Sequence, residues 1–281
     1  MIKLLSDSQN KKGIIVIQIM IREIVVSRFD LQDRVIIVTG ASGGIGTEIS
    51  RECASAGAKV VLAGRTEKTL VALSNDLNGA DSFVVSTDVT DPKSVKNLIV
   101  STVKKFGRVD VIINNVGGSA TMCEPEETPY DVWSRMIDVN LSSTFYCCIE
   151  AGKQMIKQKS GKIINISSTA GTKGNPGMLH YSAAKAGVLS LTNNLAFKWA
   201  EHNINVNAVV PGLIATPNMI KWGVIPADVD EDGNHVPRLT RPPGPADVAH
   251  LCRFLASEAA DLITGEAIPV RSWEKADRFW I

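Results

Sequence analysis

Tyr181 and Lys185 lie four residues apart, and Ser168 lies thirteen residues before Tyr181. At helical spacing the tyrosine and the lysine share a face, with about 5–6 Å between their Cβ atoms. A phenol beside an ammonium can exchange a proton with a carbonyl oxygen, and a serine hydroxyl can hold that oxygen as charge develops on it. A free phenol has a pKa of about 10, so service as a base near pH 7 requires a shift of ~3 units, or ~4 kcal/mol. One cation at ~4 Å in an effective dielectric of ~20 supplies about that much, and burial opposes it. The spacing therefore predicts that Lys185 lowers the pKa of Tyr181. Singly, a tyrosine and lysine at this spacing are a common coincidence, and a serine after a strand is an ordinary turn residue. Their weight comes from standing in one chain with the glycine-rich turn Thr39-Gly40-Ala41-Ser42-Gly43-Gly44-Ile45-Gly46.

That turn follows the apolar run 35–38 and precedes a helical pattern over 45–56. In a strand–turn–helix unit, Gly40 permits the sharp turn, Gly43 and Gly44 let backbone approach a phosphate, and Gly46 lets the helix pack closely. A pyrophosphate would sit where the free N–H groups and the helix dipole favour an anion, with Ser42 adding a hydroxyl. The next strand ends in Gly64-Arg65 with no carboxylate. An acid there would bind a ribose 2′-hydroxyl, whereas a guanidinium suits a 2′-phosphate. NADP(H) is the expected cofactor, with NAD(H) as the alternative.

The elements that position these residues alternate. Strands are predicted over 35–38, 59–63, 82–86, 109–113, 162–166, 204–209 and 267–270. Helices are predicted over 45–56, 67–77, 92–106, 129–157 (one long helix, bent), 181–201 and 245–255. The strands are short and apolar on both faces, as in a parallel sheet covered on two sides. Repeated β-α-β units with right-handed crossovers give a doubly wound α/β sheet. No linker divides the chain, so a single catalytic domain is expected over 31–270, with an extension of uncertain structure at 1–30 and a tail at 271–281. Residues 217–243 break the rhythm and are expected to form a lid. They mix Met219, Ile220 and Trp222 with the acids Asp228, Asp230, Glu231 and Asp232.

Composition narrows the classes. The 281 residues are 44% hydrophobic and carry a formal net charge of +1, so no field attracts nucleic acid or an anionic membrane. The apolar run at 13–20 is too short for a membrane span, which needs about 20 residues. It is read as a segment lying against the domain or a partner subunit, with a disordered extension or a cleaved leader as alternatives. The five cysteines include no C-x-x-C pair, which suits free thiols in a reducing compartment and a cytoplasmic location. No Cys/His spacing points to a metal.

As a set, these motifs resemble the short-chain dehydrogenases/reductases. The resemblance runs from about Leu31 to Val270. It is carried by the glycine turn, Asp88-Val89, Asn114-Asn115-Val116-Gly117, Asn140, Ser168, Tyr181 to Lys185, and Pro211-Gly212-Leu213-Ile214-Ala215-Thr216. It implies a Rossmann-type domain with a seven-stranded parallel sheet and a homotetramer built through the long helices. It also implies roles. Asp88 would contact the adenine amino group, with Val89 packed on the ring. Asn115 and Gly117 would line the cofactor. Asn140 would hold a helix bend and a water leading to Lys185. Tyr181 would be the general acid/base, and Lys185 would also bond the nicotinamide ribose. The segment from Pro211 through Gly212 and Ile214 to Thr216 would hold the carboxamide.

The chain departs from the pattern at Val116, where alanine is usual, and at Arg271-Ser272-Trp273, which replaces an acidic-Gly-Gly ending. The reading is an oxidoreductase that transfers hydride between nicotinamide and a ketone or secondary alcohol of apolar character. Met219, Ile220 and Trp222 would form one wall of the substrate site, and His180 with residues 171–179 the other. Arg238 and Arg241 are candidates for a carrier-protein or CoA contact, although a solvated role is the simpler one. Two rival readings are an NAD-linked alcohol dehydrogenase and a non-catalytic dinucleotide sensor or scaffold.

Overall fold

The computed structural model describes residues 28–77, 79–118, 122–224, 227–229 and 232–273. Residues 1–27 of the extension and 274–281 of the tail lie outside these, as do the readings made of them. Seven strands form one sheet: β1 (Val35–Thr39), β2 (Lys59–Gly64), β3 (Ser82–Ser86), β4 (Val111–Asn114), β5 (Gly161–Ile166), β6 (Ile204–Pro211) and β7 (Ala267–Val270). Their order is β3-β2-β1-β4-β5-β6-β7, and every pair is parallel. β1 through β6 are rich in Val and Ile, and all residues of β1 and β4 are buried. That burial on both faces is what a sheet covered by helices on two sides requires.

The helices are α1 (Gly44–Ser55), α2 (Glu67–Asp76), α3 (Pro92–Phe106), α4 (Tyr130–Ile137), α5 (Ser143–Gln158), α6 (Ala170–Lys173), α7 (Leu179–Trp199), α8 (Pro217–Lys221) and α9 (Pro245–Ala256). α3 shows how local chemistry sets the limits. Asp91 caps its start, accepting from the N–H groups of Lys93 and Ser94, and Pro92 occupies the first turn, where its missing N–H costs nothing. Gly107 ends it in the left-handed conformation at φ 81°. α1 and α9 cover one face of the sheet through Ile49, Cys53, Val248 and Cys252. α3, α5 and α7 cover the other through Leu98, Cys147, Met155 and Trp199.

The long bent helix expected over 129–157 is α4 and α5 joined by a π turn, Asp138–Ser142. Two short helical segments, α6 and the 3-10 turn Pro176–Met178, precede α7, and α7 begins two residues before Tyr181. Neither segment has the length to carry a periodic apolar signal. Strand order reverses between β1 and β4, and the crevice beyond their carboxyl ends is where ligands bind in open α/β sheets. No helix among the described residues is long and apolar enough to cross a membrane.

Candidate active site

β5 delivers Ser168 to the carboxyl edge of the sheet, and α7 lays Tyr181 and Lys185 across it. The Ser168 hydroxyl hydrogen-bonds the Tyr181 phenol. Ser168 Oγ also accepts from the N–H of Ala170 at 3.2 Å, which fixes its rotamer. Lys185 is 2% exposed. Its Nζ donates to the Ile166 carbonyl at 2.9 Å and lies 5.7 Å from the centroid of the Tyr181 ring. Ser167 Oγ donates to the Lys185 carbonyl at 2.9 Å, so the strand end grips the helix at two points.

The electrostatics differ from the sequence expectation. Burial raises the Tyr181 phenol above its ordinary pKa, opposed by the hydrogen bond from Ser168. Burial also lowers Lys185 to about 8. Burial is the larger influence on the phenol, because the surroundings penalise both charged forms. At neutral pH the phenol keeps its proton.

Asn140 sits fully buried in the π turn. Its Nδ2 donates to the carbonyls of Met136 and Gly118, and its Oδ1 accepts from the N–H of Gly118 at 2.8 Å. The widened turn lets this side chain cross to the segment after β4 without leaving its helix. A Cβ placed on Gly117 would come within 2.7 Å of both Asn140 Oδ1 and Lys185 Nζ. Gly117 is thus the position whose missing side chain lets these two groups approach each other.

Thirteen residues after β6 begins, the chain returns to the glycine turn. Thr216 caps α8 by accepting from the Met219 N–H, and Thr216 and Pro217 stand 3.2–3.3 Å from where a Gly44 Cβ would be. Pro211 accepts from the Thr169 N–H at 2.9 Å, and Ile214 is buried. Gly40 has φ 62°, the left-handed conformation the sharp turn needs. A Cβ on Gly46 would meet the Gly40 carbonyl oxygen at 2.1 Å, so α1 starts hard against the turn. α1 has Gly43 at its N-cap, no side-chain cap and no acid in its first turn. Uncapped N–H groups with no competing carboxylate and no intervening side chain fit a dinucleotide diphosphate. Ser42 and Ile45 belong to this same turn.

The strand ends expected to hold adenosine are assembled by backbone. The Thr87 N–H donates to the Gly64 carbonyl at 2.8 Å, which puts Arg65 and Asp88 on adjacent strand ends. Asp88 lies below the usual carboxylate range, mainly because the Thr90 hydroxyl and N–H bond its Oδ1, with a smaller pull from Arg65. Val89 is buried.

Three residues behave differently from expectation or add to it. His180 does not line the substrate side: it is fully buried, and its Nδ1 accepts from the Tyr181 N–H at 2.7 Å. The ring turns inward because α7 has no other side chain to satisfy its first N–H groups. Asn115 braces the glycine turn, donating its amide to the carbonyls of Thr39 and Gly40 at 3.2 Å, while its N–H bonds Thr39 Oγ1. Thr90 had a usable signal in Asp88-Val89-Thr90, the pattern of a local aspartate turn. In the segment after β6, Arg241 pairs with Asp228, and Arg238 lies 3.8 Å from Asp247, so neither guanidinium stands uncommitted. Among the described residues, no group of three or more metal-ligating side chains is gathered.

A family model described as short chain dehydrogenase matches residues 34–223. The chain belongs to the short-chain dehydrogenases/reductases. It is 39% identical over 249 residues to a 3-oxoacyl-[acyl-carrier-protein] reductase of Synechocystis sp., covering 85% of this chain and 96% of that protein. It is 36% identical over 247 residues to an acetoacetyl-CoA reductase of Acinetobacter sp., covering 85% and 96%. Among solved structures, a putative short-chain alcohol dehydrogenase from Sinorhizobium meliloti superposes with a TM-score of 0.77 at 30% identity, covering 90% of this chain and all of that one. The family's expected architecture, a single doubly wound domain with seven parallel strands, is the one observed. The protein is an oxidoreductase of the carbonyl/hydroxyl-acting kind.

Proposed function

We propose that this short-chain dehydrogenase/reductase reduces a ketone to a secondary alcohol with NADPH, and that the ketone is a 3-oxoacyl thioester. The observation that carries the reading is the contact of Ser168 with Tyr181 above a buried Lys185, at the strand ends that also hold the glycine turn. When bound, the reduced nicotinamide supplies the hydride. Ser168 holds the substrate oxygen, and Tyr181 gives it a proton. The phenol is protonated before reduction and gives its proton to the developing alkoxide, which is the stronger base. Lys185 and Asn140, brought together across Gly117, return a proton to the phenol from solvent. Arg65, with no acid in its turn, favours the 2′-phosphate of NADPH over NADH. The names of the relatives, reductases of 3-oxoacyl carrier protein and of acetoacetyl-CoA, support the substrate class. Phe145 on α5 and Phe197 on α7, 44% and 87% exposed, support a homo-oligomer closed over those helices.

The test follows consumption of NADPH and NADH with 3-oxoacyl thioesters of increasing length. NADPH should be consumed faster. Tyr181→Phe should lose roughly 10²–10⁴-fold in kcat while binding NADPH as before. Full turnover by Tyr181→Phe would remove the acid from the phenol.

A further inference from the structure

At the carboxyl end of β7 the departure from the resembled pattern reverses a charge: Arg271 stands where an acid is usual, followed by Ser272 and Trp273 in place of two glycines. A Cβ on Gly212 would lie 2.8 Å from Arg271 Cβ and 3.8 Å from Thr169 Cγ2. Gly212 therefore lies between the arginine and the residue that follows Ser168. Backbone holds these neighbours together, from the Gly212 N–H to the Val270 carbonyl and from the Thr169 N–H to the Pro211 carbonyl, each 2.9 Å. Arg271 is half-buried, and its guanidinium stacks on the Trp273 indole, 3.9 Å from the ring centroid. The Trp273 N–H donates to the Leu239 carbonyl at 2.7 Å, which anchors the backbone that carries the indole. Trp273 is 63% exposed, so solvent reaches the stack. Stacking uses the face of a guanidinium and leaves the N–H fork at its edge free to bond. Among the described residues no carboxylate pairs with Arg271, whereas Arg238 and Arg241 are turned toward Asp247 and Asp228.

We propose that Arg271 is the anion contact of the substrate site and takes the phosphate of a phosphopantetheine arm, the group that coenzyme A and acyl carrier protein share. The identity of the ligand rests on the thioester reading above, while the disposition of the guanidinium is read from geometry alone. With the reacting carbonyl at Ser168 and the phosphate at Arg271, the flexible arm would cross the loop at Gly212. A guanidinium held flat by an indole loses little freedom on binding and suits a phosphate through parallel N–H bonds. The acid usual at this position would repel the same phosphate.

The experiment measures kcat/KM with NADPH for one 3-oxoacyl group on three carriers: coenzyme A, acyl carrier protein and N-acetylcysteamine, which keeps the thioester but has no phosphate. Calorimetry follows the binding of 4′-phosphopantetheine and of pantetheine to the NADPH-loaded protein. Wild type should prefer the phosphate-bearing carriers, and added salt should erode that preference, a check that needs no variant. Arg271→Ala should lower the preference about tenfold, the scale of one charge-assisted contact, and Arg271→Lys, which keeps the charge, should recover most of it. Arg271→Ala should also weaken 4′-phosphopantetheine about tenfold relative to pantetheine. A fall with both carriers, or with one alone, supports the contact and names the source of its phosphate. An unchanged preference in Arg271→Ala, or equal losses of 4′-phosphopantetheine and pantetheine binding, overturns it. If wild type reduces all three thioesters equally well, the reductase reading stands and the anion contact falls. If wild type reduces none but binds 4′-phosphopantetheine through Arg271, the contact stands and the reductase reading falls.

Discussion

At the amino edge of the sheet, Arg34, Asp110, Lys162 and Asp261 line a cavity of about 530 Å³. At the carboxyl edge, Ser168, Tyr181, Lys185 and the glycine turn gather around a crevice. Both edges hold buried lysines and polar groups, but they commit them differently. At the amino edge Arg34 is paired with Glu258, Arg108 with Asp110, and Lys162 with both Asp261 and the Ser257 carbonyl. At the carboxyl edge a helix starts without a cap, and a lysine bonds a carbonyl without any carboxylate. Chemistry favours the second. A site is marked by groups left able to bond something else, and paired charges at the amino edge serve mainly to hold strand ends together.

The comparison can be broken in order of expected effect. The largest is the loss of turnover in Tyr181→Phe described above. Next is Gly46→Ala, whose new methyl meets the Gly40 carbonyl at 2.1 Å. Overpacking of this kind costs about 1–3 kcal/mol, and here it also displaces the diphosphate cradle. NADPH affinity should fall by about tenfold or more with a lower Tm, read by titration and thermal melts. A variant that binds NADPH normally would dissociate the turn from the cofactor.

Lys185 gives a pH test. Its folded pKa of about 8 is below the ordinary 10.5, so the folded state binds fewer protons between those values. Its contribution to stability is complete above the unfolded pKa and is lost as pH falls through about 8. Lys185→Met should therefore gain on wild type by up to ~3 kcal/mol between pH 10.5 and pH 7 in urea unfolding. A difference that does not change with pH would place the ammonium in a better solvated site.

Arg65→Asp should move the NADPH-to-NADH preference in kcat/KM by about 10–100-fold, the scale of one charge-assisted phosphate contact. The smallest catalytic effect belongs to the amino edge. Lys162→Met removes the bond to the Ser257 carbonyl and should cost ~1–3 kcal/mol of stability. Its kcat/KM should stay within about twofold of wild type. A large loss of activity in that variant would erase the distinction between the two edges.

The alternation of short β-branched runs with longer amphipathic stretches made the sheet and its helices legible, because burial on both faces leaves a direct trace in composition. Ser168, Tyr181 and Lys185 were legible because two of them share a helix face and the third ends a strand. The brace from Asn115 to Thr39 and Gly40 was not, since it spans about seventy-five residues of sequence and depends on β1 lying beside β4. The inward turn of His180 was hidden for a related reason: helix start points shift by a residue or two with tertiary packing. The direction of the Tyr181 shift also depends on burial, which spacing alone does not reveal. Arg271 and Trp273 stood out in the sequence only as departures from a pattern, and their contact with Leu239 became visible once the chain was folded.

The π turn at Asp138–Ser142 makes the number of residues in this stretch a constraint in its own right. Deleting one residue there would let α4 run into α5 as a regular helix with the faces of both nearly kept, so Cys147, Cys148, Ala151 and Met155 would still cover the sheet. What would be lost is the widened turn itself, and with it the reach of Asn140 to Gly118. The extra residue therefore serves the site and not the core.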